Sequence, residues 1–170
     1  MDGLRVLQIV GFKDSGKTTL MLELIRLAAA SGKTVATVKH HGHPEALDMP
    51  LATTDSMRFF NGGADVSIVF GGGVIQQHVR KKEAAIEELV AMAAKANTDF
   101  ILIEGFKDAP YEKIVLIRSD SDWDKLKSLS RVGLVIALEG VSVNNGDVVG
   151  RNEIVRISGW FADWIERNST

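Results

Sequence analysis

Residues 11–19 read Gly-Phe-Lys-Asp-Ser-Gly-Lys-Thr-Thr and follow the apolar run Val6-Leu7-Gln8-Ile9-Val10. The pattern is G-x-x-x-x-G-K-[ST], set between a strand and a helix, where a phosphate-binding loop has to stand. Gly11 and Gly16 let the backbone curl until successive N–H groups point inward as an anion-binding nest. A helix starting near Lys17 adds the positive end of its dipole beneath that nest. Lys17 is placed to reach β- and γ-phosphates, and the Thr18 hydroxyl to ligate Mg²⁺. A chain that carries this loop must build a βα unit around it, which restricts the fold before any other residue is read.

The rest of the chain continues the alternation. Strands are expected at Arg5–Val10, Thr34–Val38, Asp65–Phe70, Val74–Arg80, Asp99–Ile103, Lys113–Ile117 and Val132–Leu138. Helices are expected from Lys17 to about Ala30, at Asp55–Asn61, Lys82–Ala96, Asp122 to about Leu129, and Gly159–Arg167. Gly71-Gly72-Gly73 separates two β-runs and suggests a hairpin. Asn144–Asn152 reads as turns. The expected fold class is α/β, a three-layer P-loop NTPase fold with a mostly parallel twisted sheet and helices on both faces. At 170 residues it is expected to be a single nucleotide-binding domain, residues 1–170.

Composition narrows the function classes. A formal charge of −2 gives no bulk attraction to nucleic acid or a membrane surface, so neither is an expected partner. The chain has no cysteine, which removes disulfides and thiolate metal sites and fits a cytoplasmic location. No apolar run approaches a membrane span, and the start, with Asp2 ahead of the first strand, does not read as a signal peptide.

In sheets of this kind ligands bind beyond the carboxyl ends of the strands. Three charged or polar clusters fall at those ends: the phosphate loop, Lys39-His40-His41-Gly42-His43 after Val38, and Glu104 after Ile103. A strand-terminal acid is the expected metal partner of a phosphate loop, usually as Asp; Glu104 reaches one methylene further. The His40, His41 and His43 trio lacks the ligand count of structural zinc and reads better as a polar loop beside the phosphates. Lys39 adds positive charge there. Asp55 and Arg58 open a short helix, either as a cap region near Thr54 or as a phosphate or carboxylate contact. Trp160 and Trp164, four apart, read as a packing stripe or an interface. The guanine-selective Asn-Lys-x-Asp tetrad does not occur, so the residues alone indicate a nucleoside triphosphate and Mg²⁺ without the base.

Taken together, Gly11–Leu20, Val38-Lys39-His40 with His43, Asp55-Ser56 with Arg58 and Gly63-Ala64, and Leu102-Ile103-Glu104-Gly105-Phe106-Lys107 with Pro110 and Lys113-Ile114 resemble the MobB family. These are accessory proteins of molybdopterin-guanine dinucleotide biosynthesis. The likeness spans roughly residues 6–118, and the combination of Lys-His-x-x-His with Glu-Gly-Phe-Lys is far more specific than the phosphate loop. The chain departs from it at Asp14, commonly Asn, and at Pro50–Ser56, commonly Pro-Gly-Lys-Asp-Ser.

The resemblance implies a GTP-binding adaptor, a homodimer with weak Mg²⁺-dependent hydrolysis at most, whose protein partner is the molybdopterin guanylyltransferase. It implies phosphate binding by Gly11, Lys13, Asp14, Ser15, Gly16, Lys17, Thr18 and Thr19, with Lys39, His40, Asp55 and Arg58 as further nucleotide contacts. Thr18 and Glu104 would hold the metal, and Lys17 and Glu104 would carry any catalysis. No water-orienting base is evident, in keeping with slow turnover. The residues also permit a small-molecule P-loop kinase or a non-enzymatic, nucleotide-responsive interaction module.

Overall fold

The structure is a computed structural model that describes residues 4–42, 46–94, 98–138, 141, 143 and 148–167. The chain divides into two compact units, residues 1–42 with 86–170, and residues 43–85.

The larger unit is built on a six-stranded sheet. Its strands are β1 (Arg5–Gly11), β2 (Val35–Lys39), β5 (Phe100–Glu104), β6 (Glu112–Ile117), β7 (Val132–Ala137) and β8 (Val148–Gly150), in the order β2-β5-β1-β6-β7-β8. Every neighbouring pair is parallel. The near-continuous apolar runs of β5 and β6 follow from burial on both faces. On one face α1 (Lys17–Ala30) and α5 (Ile154–Arg167) pack Leu20, Leu24, Phe161 and Trp164 against Leu7, Ile9, Phe100 and Leu102. On the other, α4 (Asp120–Leu126) sets Leu126 against Val115 and Val135, and α3 (Ile86–Ala93) sets Ile86, Leu89 and Val90 against Ile101 and Ile103. This is the expected three-layer arrangement. The phenyl ring of Phe100 meets both Phe161 and Trp164 edge-on at 5.7 and 5.6 Å. Trp164 is therefore core, and its indole N–H donates to Glu112 at 3.0 Å.

Strand order could not be read from the chain, and it decides where the site lies. From β1 the chain crosses to the edge strand β2 and later returns to insert β5 between them, before β6 adds on the opposite side of β1. The winding reverses at β1, so the crevice beyond its carboxyl end is the natural ligand position.

Four elements differ from expectation. α4 spans Asp120–Leu126 rather than Asp122 to about Leu129, with the Ser119 hydroxyl capping its start. α3 begins at Ile86 rather than Lys82, because Lys82–Ala85 offers charge but no capping residue. α5 begins at Ile154, five residues before Gly159; burial of Ile157, Phe161, Trp164 and Ile165 outweighs the cost of a mid-helix glycine. The three-residue strand β8 lies inside the stretch read as turns, being too short for alternation to show. Among the described residues no helix is long and apolar enough to cross a membrane.

The smaller unit holds α2 (Asp55–Asn61) and an antiparallel hairpin of β3 (Val66–Gly71) and β4 (Val74–Val79). Gly72 and Gly73 form its two-residue turn with φ of 57° and 79°, the left-handed pair that matches strand twist. Ser67 donates to the Ser56 carbonyl at 2.9 Å, and the Arg80 guanidinium lies 4.3 Å from the Phe60 ring centroid. Thr54 occupies the N-cap of α2, but its hydroxyl turns back to the Leu51 carbonyl at 3.0 Å.

Two buried polar side chains in register, Gln8 on β1 and Lys113 on β6, tie down the segment that follows Glu104. Gln8 Nε2 donates to the carbonyls of Gly105, at 2.6 Å, and Phe106. Lys113 Nζ donates to those of Ala109 and Tyr111 at 2.5 and 2.8 Å. Burial lowers the Lys113 pKa below its ordinary value. Lys113→Met keeps the stem and removes the donors, leaving those carbonyls unmet. Urea denaturation is expected to show a loss of about 2 kcal/mol, and a change within about 0.5 kcal/mol, the range of a neutral surface substitution, would rule out this structural role.

Candidate functional site

The loop between β1 and α1 is shaped by what surrounds it. A Cβ on Gly11 would sit 2.5 Å from Ser15 Oγ and 2.8 Å from the Leu116 carbonyl oxygen, so only glycine fits. Asp14 and Gly16 take φ of 59° and 85°, and the left-handed turns curl the segment. Gly16 is the N-cap of α1, no side chain caps it, and the first turn carries no acid. The first N–H groups of the helix thus keep their capacity for an external anion. Asp14 is exposed, as are Lys13, Thr18 and Thr19, while Ser15 is buried.

Lys17 Nζ donates to the Phe12 carbonyl at 2.7 Å, folding the side chain across the loop. Its pKa is lowered chiefly by burial; Glu104 opposes the shift, and Lys39 adds to it. The Lys17 side chain is half-buried beside the uncapped first turn of α1.

Glu104 ends β5, level with Lys39 of β2 and Ile9 of β1. It is 8% exposed, so its carboxylate is held rather than free in solvent. Thr18 Oγ1 donates to Glu104 Oε2 at 3.1 Å, and Lys39 Nζ pairs with Oε1 at 3.3 Å. The His40 N–H donates to the Glu104 carbonyl at 2.9 Å, and its ring lies 4.6 Å from that of Phe106. Gly105 is required at this crossing: its φ is 92°, and a Cβ would come within 2.9 Å of His40 Cβ. The fold thus brings Lys17, Thr18, Lys39, His40 and Glu104 to one place from three elements.

Thr18 and Glu104 offer two hard oxygen donors side by side. Among the described residues no group of three His, Cys, Asp or Glu is arranged to hold a metal ion. That pattern suits Mg²⁺, which uses one or two protein oxygens and completes its shell with water and phosphate. Asp55 and Arg58 belong to the smaller unit, where they pair with each other at 3.3 Å on an exposed turn of α2. His43 lies outside the described residues.

Two arginines escaped the sequence reading. Arg118, just past β6, donates from Nη1 to the Lys13 carbonyl at 2.8 Å and is held by Asp122 through Nε at 2.9 Å. The Asp122 carboxyl is kept below its usual range by that guanidinium. Arg151, just past β8, donates from Nη1 to the Ser15 carbonyl and from Nη2 to the Gly16 carbonyl, both at 2.8 Å. The strand-end rule that singled out Glu104 also marks Arg118. Arg151 had no such marker, because β8 was not recognisable as a strand.

Residues 6–138 match the family described as MobB, molybdopterin guanine dinucleotide synthesis protein B. The probable molybdopterin-guanine dinucleotide biosynthesis adapter protein of Bacillus subtilis is 34% identical over 130 residues, 76% of this chain and 75% of that protein. The adapter protein of Escherichia coli is 27% identical over 169 residues, 96% and 95% of the two chains. The crystal structure of a MobB homolog from Bacillus stearothermophilus superposes with a TM-score of 0.79 at 31% identity, covering 95% of this chain and 98% of that one. Bacillus subtilis MobB superposes with a TM-score of 0.76 at 29% identity, covering 97% and 98%. With residues 6–138 matched by the family model and a relative 34% identical over 76% of its length, the chain belongs to the MobB family.

Proposed function

We propose that the chain is a GTP-binding adaptor in molybdenum cofactor biosynthesis, assisting the guanylyltransferase that attaches GMP to molybdopterin. The observation that carries this reading is the convergence of Lys17, Thr18 and Glu104 on a loop with uncapped helix amides. Family membership supports the pathway, and guanine is the base named in the relatives' product.

The residues divide the work as follows. The amides from about Asp14 to Thr18 cradle the phosphates, and Lys17 leaves the Phe12 carbonyl to meet them. Thr18 and Glu104 would hold Mg²⁺, which would supply charge neutralisation at the phosphates. Lys39 pairs with Glu104 at 3.3 Å and, with Mg²⁺ bound to that carboxylate, would be available to the phosphates. Hydrolysis also needs an oriented water. Among the described residues the His40 ring packs against Phe106, and the hydrolysis proposed here is weak, which serves an adaptor that holds triphosphate.

Titration calorimetry with Mg²⁺ is expected to show GTP bound more tightly than ATP. Lys17→Ala is expected to weaken GTP at least about 100-fold, the loss of a buried charge contact to phosphate. Equal and unmeasurable affinity for both nucleotides would sink the reading. Glu104→Gln should leave nucleotide binding measurable while removing most of its Mg²⁺ dependence; an unchanged Mg²⁺ response would take Glu104 out of the metal site.

Homodimerisation is part of the same proposal. Ile68, Phe70, Val74 and Ile75 of the hairpin are 62%, 73%, 66% and 68% exposed. A two-stranded ribbon with this much apolar surface and open edges is a pairing surface for a second copy. Light scattering at micromolar concentration should give a dimer mass, and Ile68→Asp with Ile75→Asp should give a monomer. A wild-type monomer would remove the dimer.

A further inference from the structure

We infer that Arg151 is a positioning residue of the phosphate site, which aims the loop's amides by gripping its carbonyls from behind. The inference rests on the loop binding a polyphosphate, as proposed above, and adds a part of the chain that lies outside both the loop motif and the residues matched to the family.

The argument is one of peptide geometry. In a trans peptide the carbonyl of one residue and the N–H of the next point in opposite directions. Holding the Ser15 carbonyl outward therefore turns the Gly16 N–H inward, and holding the Gly16 carbonyl does the same for the Lys17 N–H. Arg151 holds both at once, Nη1 on Ser15 and Nη2 on Gly16, each at 2.8 Å. Its planar fork matches two adjacent acceptors in a way that a lysine cannot. The contact is close: a Cβ on Gly16 would lie 2.6 Å from the guanidinium carbon and would displace the fork, while the φ of 85° favours glycine independently.

Arg151 is itself held firmly. Its N–H donates to the Ala137 carbonyl at 2.8 Å, extending the ladder by which β8 pairs with β7. Glu153 closes the turn into α5: its carboxylate accepts from the Gly150 N–H at 2.6 Å and its own N–H donates to the Gly150 carbonyl at 2.9 Å. Arg156 in turn pairs with Glu153 at 2.8 Å. The side chain thus leaves a braced turn, and little ordering remains to be done when an anion arrives. The guanidinium also places a fixed cation behind the loop. Arg118 holds the Lys13 carbonyl in a comparable way but is tied to Asp122, so changing it breaks an ion pair too.

The test measures binding of Mg²⁺-free inorganic tripolyphosphate and of Mg²⁺-GTP by the full chain, using wild type, Arg151→Ala, Arg151→Lys and Arg151→Gln. Arg151→Ala is expected to weaken tripolyphosphate at least about tenfold, as loss of a bidentate charged pair would. Arg151→Lys, which keeps the charge but spans only one carbonyl, should recover less than about threefold of it. Millimolar guanidinium should restore binding to Arg151→Ala and not to wild type. Arg151→Gln, with the stem and one donor retained, serves if the alanine variant does not fold. Full affinity in the lysine variant would show that charge alone matters and would overturn the inference. So would wild-type affinity in a folded alanine or glutamine variant while Lys17→Ala abolishes binding. Failure of the wild type to bind either probe would remove the nucleotide reading and this inference together.

Discussion

The structure depends on a small set of backbone N–H groups that the protein itself does not satisfy. The first turn of α1 has neither a capping side chain nor an acid, and the loop before it is curled by left-handed residues at Asp14 and Gly16. Such groups are met by water or by an anion, and the dipole favours the anion. Other features of the larger unit converge on keeping them available. Gly11 and Gly16 occupy positions where any side chain would collide with Ser15, Leu116 or Arg151. Lys17 waits on the Phe12 carbonyl, and Arg118 and Arg151 draw the loop's carbonyls outward.

Strand order turns that local feature into a site. Because the winding reverses at β1, β5 lies beside it and delivers Glu104 to the end of the loop, while β2 delivers Lys39 at the same level. The buried pair Gln8 and Lys113 then fixes the segment after Glu104, so the carboxylate does not depend on a free loop for its position. Charge is balanced locally, with Glu104 between Thr18 and Lys39. A site assembled this way places a carboxylate, a hydroxyl and two lysines beside the uncapped start of α1.

Legibility in the sequence followed the range of the interaction. β1, α1 and the loop between them are local, and each was readable from spacing. The hairpin was readable because Gly72-Gly73 sits between two apolar runs. The start of α5 was missed because Gly159 argues against helix while packing of Phe161 and Trp164 overrides it. β8 was missed because three residues carry no periodicity, and Arg151 was missed with it.

The chain by itself determined the chemistry available: glycines where the backbone must curl, a lysine and a threonine at fixed offsets after them, and an acid at the end of an apolar run. These are properties of neighbours along the backbone, and elementary stereochemistry is enough to interpret them. Only the tertiary structure decided that Glu104 meets Thr18 across 86 positions and that Arg151 grips Ser15 across 136. Those meetings are set by the order of strands in a parallel sheet, a global choice about burial that leaves no mark at either residue.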